Sequence, residues 1–235
     1  MLLAAGRGDR MRPLTDHLPK PLLRVGGKPL IVWHIERLAA AGITDIVINA
    51  AHLGDTLHAA LGDGSAWGVR LAWSFEPPGA LETAGGIAQA LPLLGDAPFL
   101  VINGDIFCDW APTQTVAHAA ALAGGTDLAH LVLVDNPAHH PNGDFCLADG
   151  RVRDGATTAA SPTLTFAGIG VYHPQLFANV PRGKPAKLAP LLRDAMAVGR
   201  VGGEHHHSLW VDVGTPQRLA ELDAALSVRS ATGVS

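Results

Sequence analysis

The chain has 235 residues, enough for one large domain, and its composition of 48% apolar but only 5% aromatic residues implies a core packed closely on small side chains. Seventeen basic against 21 acidic residues leave a net charge of −4, which excludes a general nucleic-acid binder built on a basic stripe. No apolar run reaches the roughly 18 residues of a membrane-spanning helix, and Met1-Leu2-Leu3 passes straight into Gly6-Arg7-Gly8-Asp9-Arg10 without the apolar region of a signal peptide. Residues 1–4 read as a short buried strand cut off by Gly6 and Gly8. Residues 29–41 carry Leu30, Ile31, Ile35 and Leu38 at helical spacing, with Pro29 near the start and Gly42 as the stop. A β-branched strand is expected over 45–49, a short helix over 53–61 and a second strand over 69–74. A helix over 83–91 should end before Pro92, and the apolar strand 99–102 runs into Asn103-Gly104-Asp105. Residues 113–122 read as a helix and 130–134 as a strand.

Strands alternating with helices imply an α/β fold: a Rossmann-like, mixed but mostly parallel sheet with helices on both faces. Beyond Val134 the pattern changes. A Pro/Gly/His loop at 136–144 leads to a hairpin, 144–147 and 151–154, around Asp149-Gly150. A strand at 164–172, a helix at 187–198 closed by Gly199, a strand at 209–212 and a helix at 215–226 follow. The expectation is one domain over 1–228, with a nucleotide half to about 134 and an acceptor half beyond it, and a frayed tail at 229–235. Cys108 and Cys146 are too few for a disulfide framework and fit a reducing cytosol. With His139-His140 and His205 to His207 they show no CxxC or HExxH spacing, so they read as small buried thiols and solvated loop histidines rather than zinc ligands.

Three stretches carry chemistry. In the first, a strand runs into a loop with Gly6 and Gly8 that carries Arg7, Arg10, Arg12 and Lys20. Glycines let a backbone approach a phosphate chain, and cations neutralise the rest. The stretch is neither a Walker A motif, since no GK[ST] follows, nor the GxGxxG dinucleotide fingerprint, which disfavours an NAD-dependent oxidoreductase. On spacing alone a glycine turn with surface arginines remains open. In the second, Asp105 ends an apolar strand, where open α/β sheets place ligands. A short carboxylate there suits a divalent metal that bridges phosphates, or else caps a turn. In the third, Trp210-Val211-Asp212-Val213-Gly214-Thr215 repeats the pattern of strand end, glycine and helix start. Two carboxylates at one sheet edge repel unless a cation lies between them.

Taken together, Ala4-Ala5-Gly6-Arg7-Gly8-Asp9-Arg10-Met11-Arg12-Pro13-Leu14-Thr15, Lys20-Pro21-Leu22, Leu81-Glu82-Thr83-Ala84-Gly85, Asn103-Gly104-Asp105 and Trp210-Val211-Asp212-Val213-Gly214-Thr215 occur in order. This series resembles the sugar-1-phosphate nucleotidylyltransferase family, from Leu2 to about Leu226. The resemblance implies the nucleotide-diphospho-sugar transferase fold and a Mg²⁺-dependent enzyme. It implies a triphosphate turn at Gly6, Gly8, Asp9 and Arg10, with Arg10 on the leaving pyrophosphate and Lys20 on the reacting phosphates. Thr83 and Gly85 would face the nucleoside, and Asn103 the ribose or a phosphate. Arg10, Lys20 and Asp105 would be catalytic, and Asp105 and Asp212 the Mg²⁺ ligands. For the acceptor, Asp144, Gly168 and Lys187 are candidates, against an Asx-turn, a strand glycine and a helix-start lysine.

The stretches 133–140, Gly143-Asp144-Phe145 and Gly203-Glu204-His205 are similar to the branch that uridylylates N-acetylmuramate 1-phosphate in peptidoglycan recycling. Other hexose-1-phosphate thymidylyl-, uridylyl- or guanylyltransferases are the alternative, as is a non-catalytic nucleotide-sugar sensor on the same fold. Retention of Arg10, Lys20, Asp105 and Asp212 together speaks against the sensor. Where the family has a few more residues in its first strand, this chain opens at Met1-Leu2-Leu3, so a shortened first strand is expected; Asp9 and Glu82 stand where many relatives have Thr and Gly. The implied partners are a nucleoside triphosphate and a sugar 1-phosphate, with no nucleic acid and no membrane, in a cytoplasmic monomer or small homo-oligomer.

Overall fold

A computed structural model describes residues 1–77, 79–155 and 162–232, with side chains up to 227. In chain order the elements are β1 (Leu2–Leu3), β2 (Arg24–Val25), β3 (Lys28–Pro29), α1 (Leu30–Ala40), β4 (Asp45–Ala50), α2 (Gly54–Leu61), β5 (Arg70–Phe75), α3 (Glu82–Leu94) and β6 (Phe99–Asn103). Then come β7 (Ile106–Cys108), α4 (Thr115–Gly124), β8 (Ala129–Val134), β9 (Phe145–Ala148), β10 (Arg151–Arg153), β11 (Thr163–Tyr172), α5 (Leu188–Ala197), β12 (Val201–His206), β13 (Trp210–Asp212) and α6 (Pro216–Thr232). The mixed α/β class with helices flanking sheet strands is as expected.

The residues sort into two compact units. One gathers residues 2–80, 103–112 and the chain from Leu209 onward. In it β1 pairs with β4, and β4 with β5, all parallel, in the register Leu2 to Ile48 and Asp45 to Arg70. The β-branched run at Ile46, Val47 and Ile48 is buried, as a strand covered on both faces requires. β1 is two residues long. Two small antiparallel ribbons, β2–β3 and β7–β13, complete the unit. Its core contains Met11, Val25, Leu30, Phe107, Val213, Leu222 and Leu226. The β2–β3 turn at Gly26 is fixed by α6: the Gly26 N–H donates to Asp223 at 2.7 Å.

The other unit gathers Met1, residues 81–102 and 113–208. Its strands run in the order β6-β11-β8-β12-β10-β9. Here the sheet is mixed: β12 runs parallel to β8, but the long β11 is antiparallel to both β6 and β8. The hairpin β9–β10 turns through Asp149 and Gly150, both at positive φ, the conformation of a tight twisted turn. Phe99, Tyr172 and Phe177 form an aromatic cluster with centroids 5.8 to 6.5 Å apart. The Met1 backbone nitrogen is buried and donates to the Leu100 carbonyl at 2.6 Å.

Several expectations need correction. α3 does not stop before Pro92 but continues through it to Leu94. The proline removes one donor in the last turn, and the Gly95 N–H closes that turn on the Leu91 carbonyl at 3.0 Å. His205 and His206, loop residues by the sequence pattern, lie instead in β12, Val201–His206, against β8. α6 continues to Thr232, so 229–232 extend the helix, and 233–235 lie outside the described residues.

Candidate active site

The loop that leaves β1 is held by buried polar groups. The Ala4 N–H donates to the Asn49 side-chain oxygen at 2.8 Å, and the Asn49 amide donates to Glu76 at 2.6 Å. Both side chains are buried, so their pairing satisfies polar atoms that would otherwise be costly. Further on, Gly8 sits at φ +70°, and a Cβ there would meet Lys20 and Thr15 side-chain carbons at 3.2 Å. Its carbonyl accepts from the Met11 N–H at 2.8 Å and the Thr15 hydroxyl at 2.9 Å. This pins a short 3₁₀ turn, Asp9–Met11, whose Met11 is fully buried while Asp9 and Arg10 remain exposed. One buried anchor therefore fixes the backbone of a turn that presents a cation to solvent. Asp9 pairs with Arg7 at 3.1 Å on the surface.

Lys20 lies at the start of a second 3₁₀ turn, Lys20–Leu22, behind Pro19. Its side chain is only 8% exposed, and Nζ donates to Asp105 Oδ2 at 2.6 Å. Burying a lysine demands a partner, and Asp105, itself 41% exposed, supplies one while staying open to solvent. Asp105 is placed by its neighbours. The Gly104 N–H donates to the Leu3 carbonyl at 2.8 Å, and a Cβ at Gly104 would meet that oxygen at 2.6 Å, so only glycine permits the approach. The next residue, Ile106, accepts at its carbonyl from the buried His34 ring at 2.8 Å. Burial pushes the His34 pKa down to about 4.

Asp212 enters the same site along the β7–β13 ribbon. It pairs opposite Ile106, and the Val213 N–H donates to the Asp105 carbonyl at 3.0 Å. The two aspartates are thus on adjoining rungs. Yet they do not face each other uncompensated, as expected from the sequence: Asp212 Oδ2 accepts from Arg218 of α6 at 2.7 Å, as Asp105 does from Lys20. Carboxylate oxygens are the donors that a hard divalent cation takes, and Asp105 is open to solvent, so in donor chemistry these two residues fit Mg²⁺. Asn49, Glu76, His34 and Arg218 escaped the sequence reading. Arg218 alone had a local signal, a basic residue in the first turn of a helix that starts just after Asp212.

The structure therefore brings Gly8, Arg10, Lys20, Asp105 and Asp212 into one unit, with Gly6 and Asn103 in its segments. Thr83, Gly85, Asp144, Gly168 and Lys187 belong to the other. There, Gly85 is a packing position: a Cβ would meet the Lys184 carbonyl oxygen at 2.4 Å, and its N–H donates to the Ala186 carbonyl at 3.1 Å. That contact joins the start of α3 to the segment before Lys187, the residue that precedes α5. Both carboxylate oxygens of Asp144 are engaged, one with His140 at 3.1 Å and one with the Phe166 N–H at 2.8 Å. Phe166 opens the bulge of β11 in which Gly168 takes φ +75°. Asp144 and Gly168 thus belong to one local arrangement.

A nucleotidyl transferase family model matches residues 1–228, and the chain belongs to that family, the sugar-1-phosphate nucleotidylyltransferases. It is an enzyme of that class. An N-acetylmuramate alpha-1-phosphate uridylyltransferase from Neisseria meningitidis serogroup B is 56% identical over 225 residues, 95% of this chain and 96% of the relative. A second enzyme of that name, from Caulobacter vibrioides, is 39% identical over 97% of this chain and 96% of its own length. Among solved structures, HddC from Yersinia pseudotuberculosis superposes with a TM-score of 0.73 at 18% identity, over 95% of this chain and 97% of that one, a likeness of fold alone.

Proposed function

We propose that the chain transfers a uridylyl group from UTP to N-acetylmuramate 1-phosphate, giving UDP-N-acetylmuramate and pyrophosphate, in cytoplasmic peptidoglycan recycling. The observation that carries the choice of substrates is the 56% identity, over nearly the whole of both chains, to the Neisseria enzyme of that activity. Among the described residues no helix is long and apolar enough to cross a membrane. The nucleophile is the acceptor's own phosphate oxygen, which attacks the α-phosphorus as the bond to pyrophosphate breaks. A phosphate monoester loses its second proton with a pKa of about 6, so no general base is needed. The obstacle is the approach of two polyanions.

Lys20 and Arg10 answer that obstacle. Lys20 Nζ is fixed by Asp105 before any ligand arrives, so little reorganisation is left for the reaction itself. Arg10, exposed on a turn anchored by Met11, takes the charge that develops on the leaving pyrophosphate. Asp105 and Asp212 are the residues that would hold Mg²⁺, which when bound supplies charge neutralisation at the phosphates. Gly6, Gly8 and Asp9 line the triphosphate turn; Thr83, Gly85 and Asn103 serve the nucleotide, and Asp144, Gly168 and Lys187 the acceptor. Residues 1–228 act as one transferase domain. The test is pyrophosphate release with Mg²⁺, each of the four NTPs and a panel of sugar 1-phosphates. UTP with N-acetylmuramate 1-phosphate should exceed every other pair in kcat/KM, and a preference for GTP with mannose 1-phosphate would overturn the reading.

A further inference from the structure

Three side chains that no motif connects meet in the unit holding residues 113–208. His118 comes from α4, His130 from β8 and Glu204 from β12. The register makes the meeting inevitable for two of them: Glu204 pairs opposite Val132, two residues from His130, so both side chains share one face of the sheet. The third descends from the helix that packs on β8. His118 Nε2 lies 3.6 Å from Glu204 Oε2, and all three ligand atoms lie within 4.8 Å of one another. The two imidazole rings stack with centroids 3.8 Å apart. Both Nε2 atoms are buried, and among the described residues neither has a hydrogen-bond partner. Buried polar atoms are nearly always paired, so two orphans side by side call for an explanation.

We propose that His118, His130 and Glu204 form a site for a divalent transition metal of the zinc class, which fastens α4 to the β8–β12 sheet. Two imidazoles and a carboxylate are ligands that such an ion accepts, with the fourth position left to water. Ligand atoms on a tetrahedral zinc ion stand about 3.4 Å apart, given bonds of about 2.0 to 2.2 Å, and the His118 to Glu204 separation of 3.6 Å is already close to that. Asp127, held by two hydrogen bonds from Arg151, lies on the Nδ1 side of His130, where outer-sphere carboxylates orient metal-bound histidines.

Chelator-stripped full-length protein should be titrated with Co²⁺, followed by its visible absorption, and then with Zn²⁺ in competition. An Asp105→Asn background removes the acidic phosphate site from the count. One Co²⁺ per chain with intense tetrahedral bands, displaced by Zn²⁺ and raising Tm, is expected. Glu204→Gln and His118→Ala should each weaken Zn²⁺ by about 10²-fold or more, beyond the cost of losing an outer partner. Asp135, His205 and His207 make a second, more exposed grouping nearby in sequence, so a His205→Ala, His207→Ala double variant is the control and should retain the ion. Absence of tetrahedral bands, retention of affinity in the near-isosteric Glu204→Gln, or loss in the control alone would overturn the proposal.

Discussion

Replacing Lys20 by methionine keeps the length of the side chain and deletes its charge. Two effects follow, and the structure separates them. The first is on stability. Removing one partner of a fully buried ion pair costs about 3–5 kcal/mol, because the other charge is stranded. Here only the lysine is buried; Asp105 is 41% exposed and rehydrates once released, so the loss should be roughly 1–2 kcal/mol. For a chain of 235 residues that lowers Tm by about 2–8 °C, which leaves the protein folded at 25 °C. The second effect is on the reaction. A fixed donor aimed at charge that grows in the transition state is worth about 10²-fold or more in kcat, near 2.7 kcal/mol. Steady-state pyrophosphate release at 25 °C, with circular dichroism as the control for folding, should show kcat falling about 10²-fold while KM for UTP changes little. Retained kcat with only KM raised would make Lys20 a uniform binding residue and refute the assignment.

Asp105→Asn or Asp212→Asn should each nearly abolish turnover with Mg²⁺ while the fold stays intact, and titration of activity against Mg²⁺ checks that the loss is of the metal-holding pair; near-normal turnover in either would sink it. Gly85→Ala places a methyl 2.4 Å from the Lys184 carbonyl oxygen and should destabilise by about 1–3 kcal/mol, seen as a drop in Tm; an unchanged Tm would mean that the contact yields freely. His34 is neutral in the fold down to about pH 4, whereas its unfolded value is 6.5, so the unfolded chain gains the proton first as the pH falls. Stability should therefore decline between about pH 6.5 and 4, by up to roughly 3 kcal/mol from this group, and urea unfolding of His34→Gln should show a shallower decline over that window than the parent.

Where local pattern and tertiary position agreed, the fold was legible. Ile46, Val47 and Ile48 are β-branched and buried, and Asp149-Gly150 takes the positive φ values that its hairpin needs. β12 was missed because Gly202-Gly203 and three histidines have little strand propensity; it is a strand because β8 supplies a register for it. β7 was missed because three residues are too few to show a period. At the site, glycines, cations and carboxylates at strand ends were visible from spacing. The counter-charge on Asp105 was not, because Lys20 reaches it only through the fold, and for Asp212 the one local hint was Arg218 in the first turn of the helix that follows. His118, His130 and Glu204 stand at spacings that match no ligand motif, and only strand register and helix packing unite them.

The unit that holds Arg10, Lys20, Asp105 and Asp212 is written in three separate stretches of the gene, and the last begins at Leu209. A ribosome delivers the partner of β7 long after β7 itself. At roughly 5–20 residues per second, about a hundred residues take some 5–20 s to make. Throughout that interval the backbone of Ile106, Phe107 and Cys108 lacks its β13 partner, and the core around Phe107 lacks Val213, Leu222 and Leu226. A nascent chain is therefore unable to bring Asp212 beside Asp105 until the stretch from Leu209 to Leu226 has been made. Messages cut short before codon 212 yield products without the second aspartate, and with an apolar ribbon edge open to chaperones and proteases.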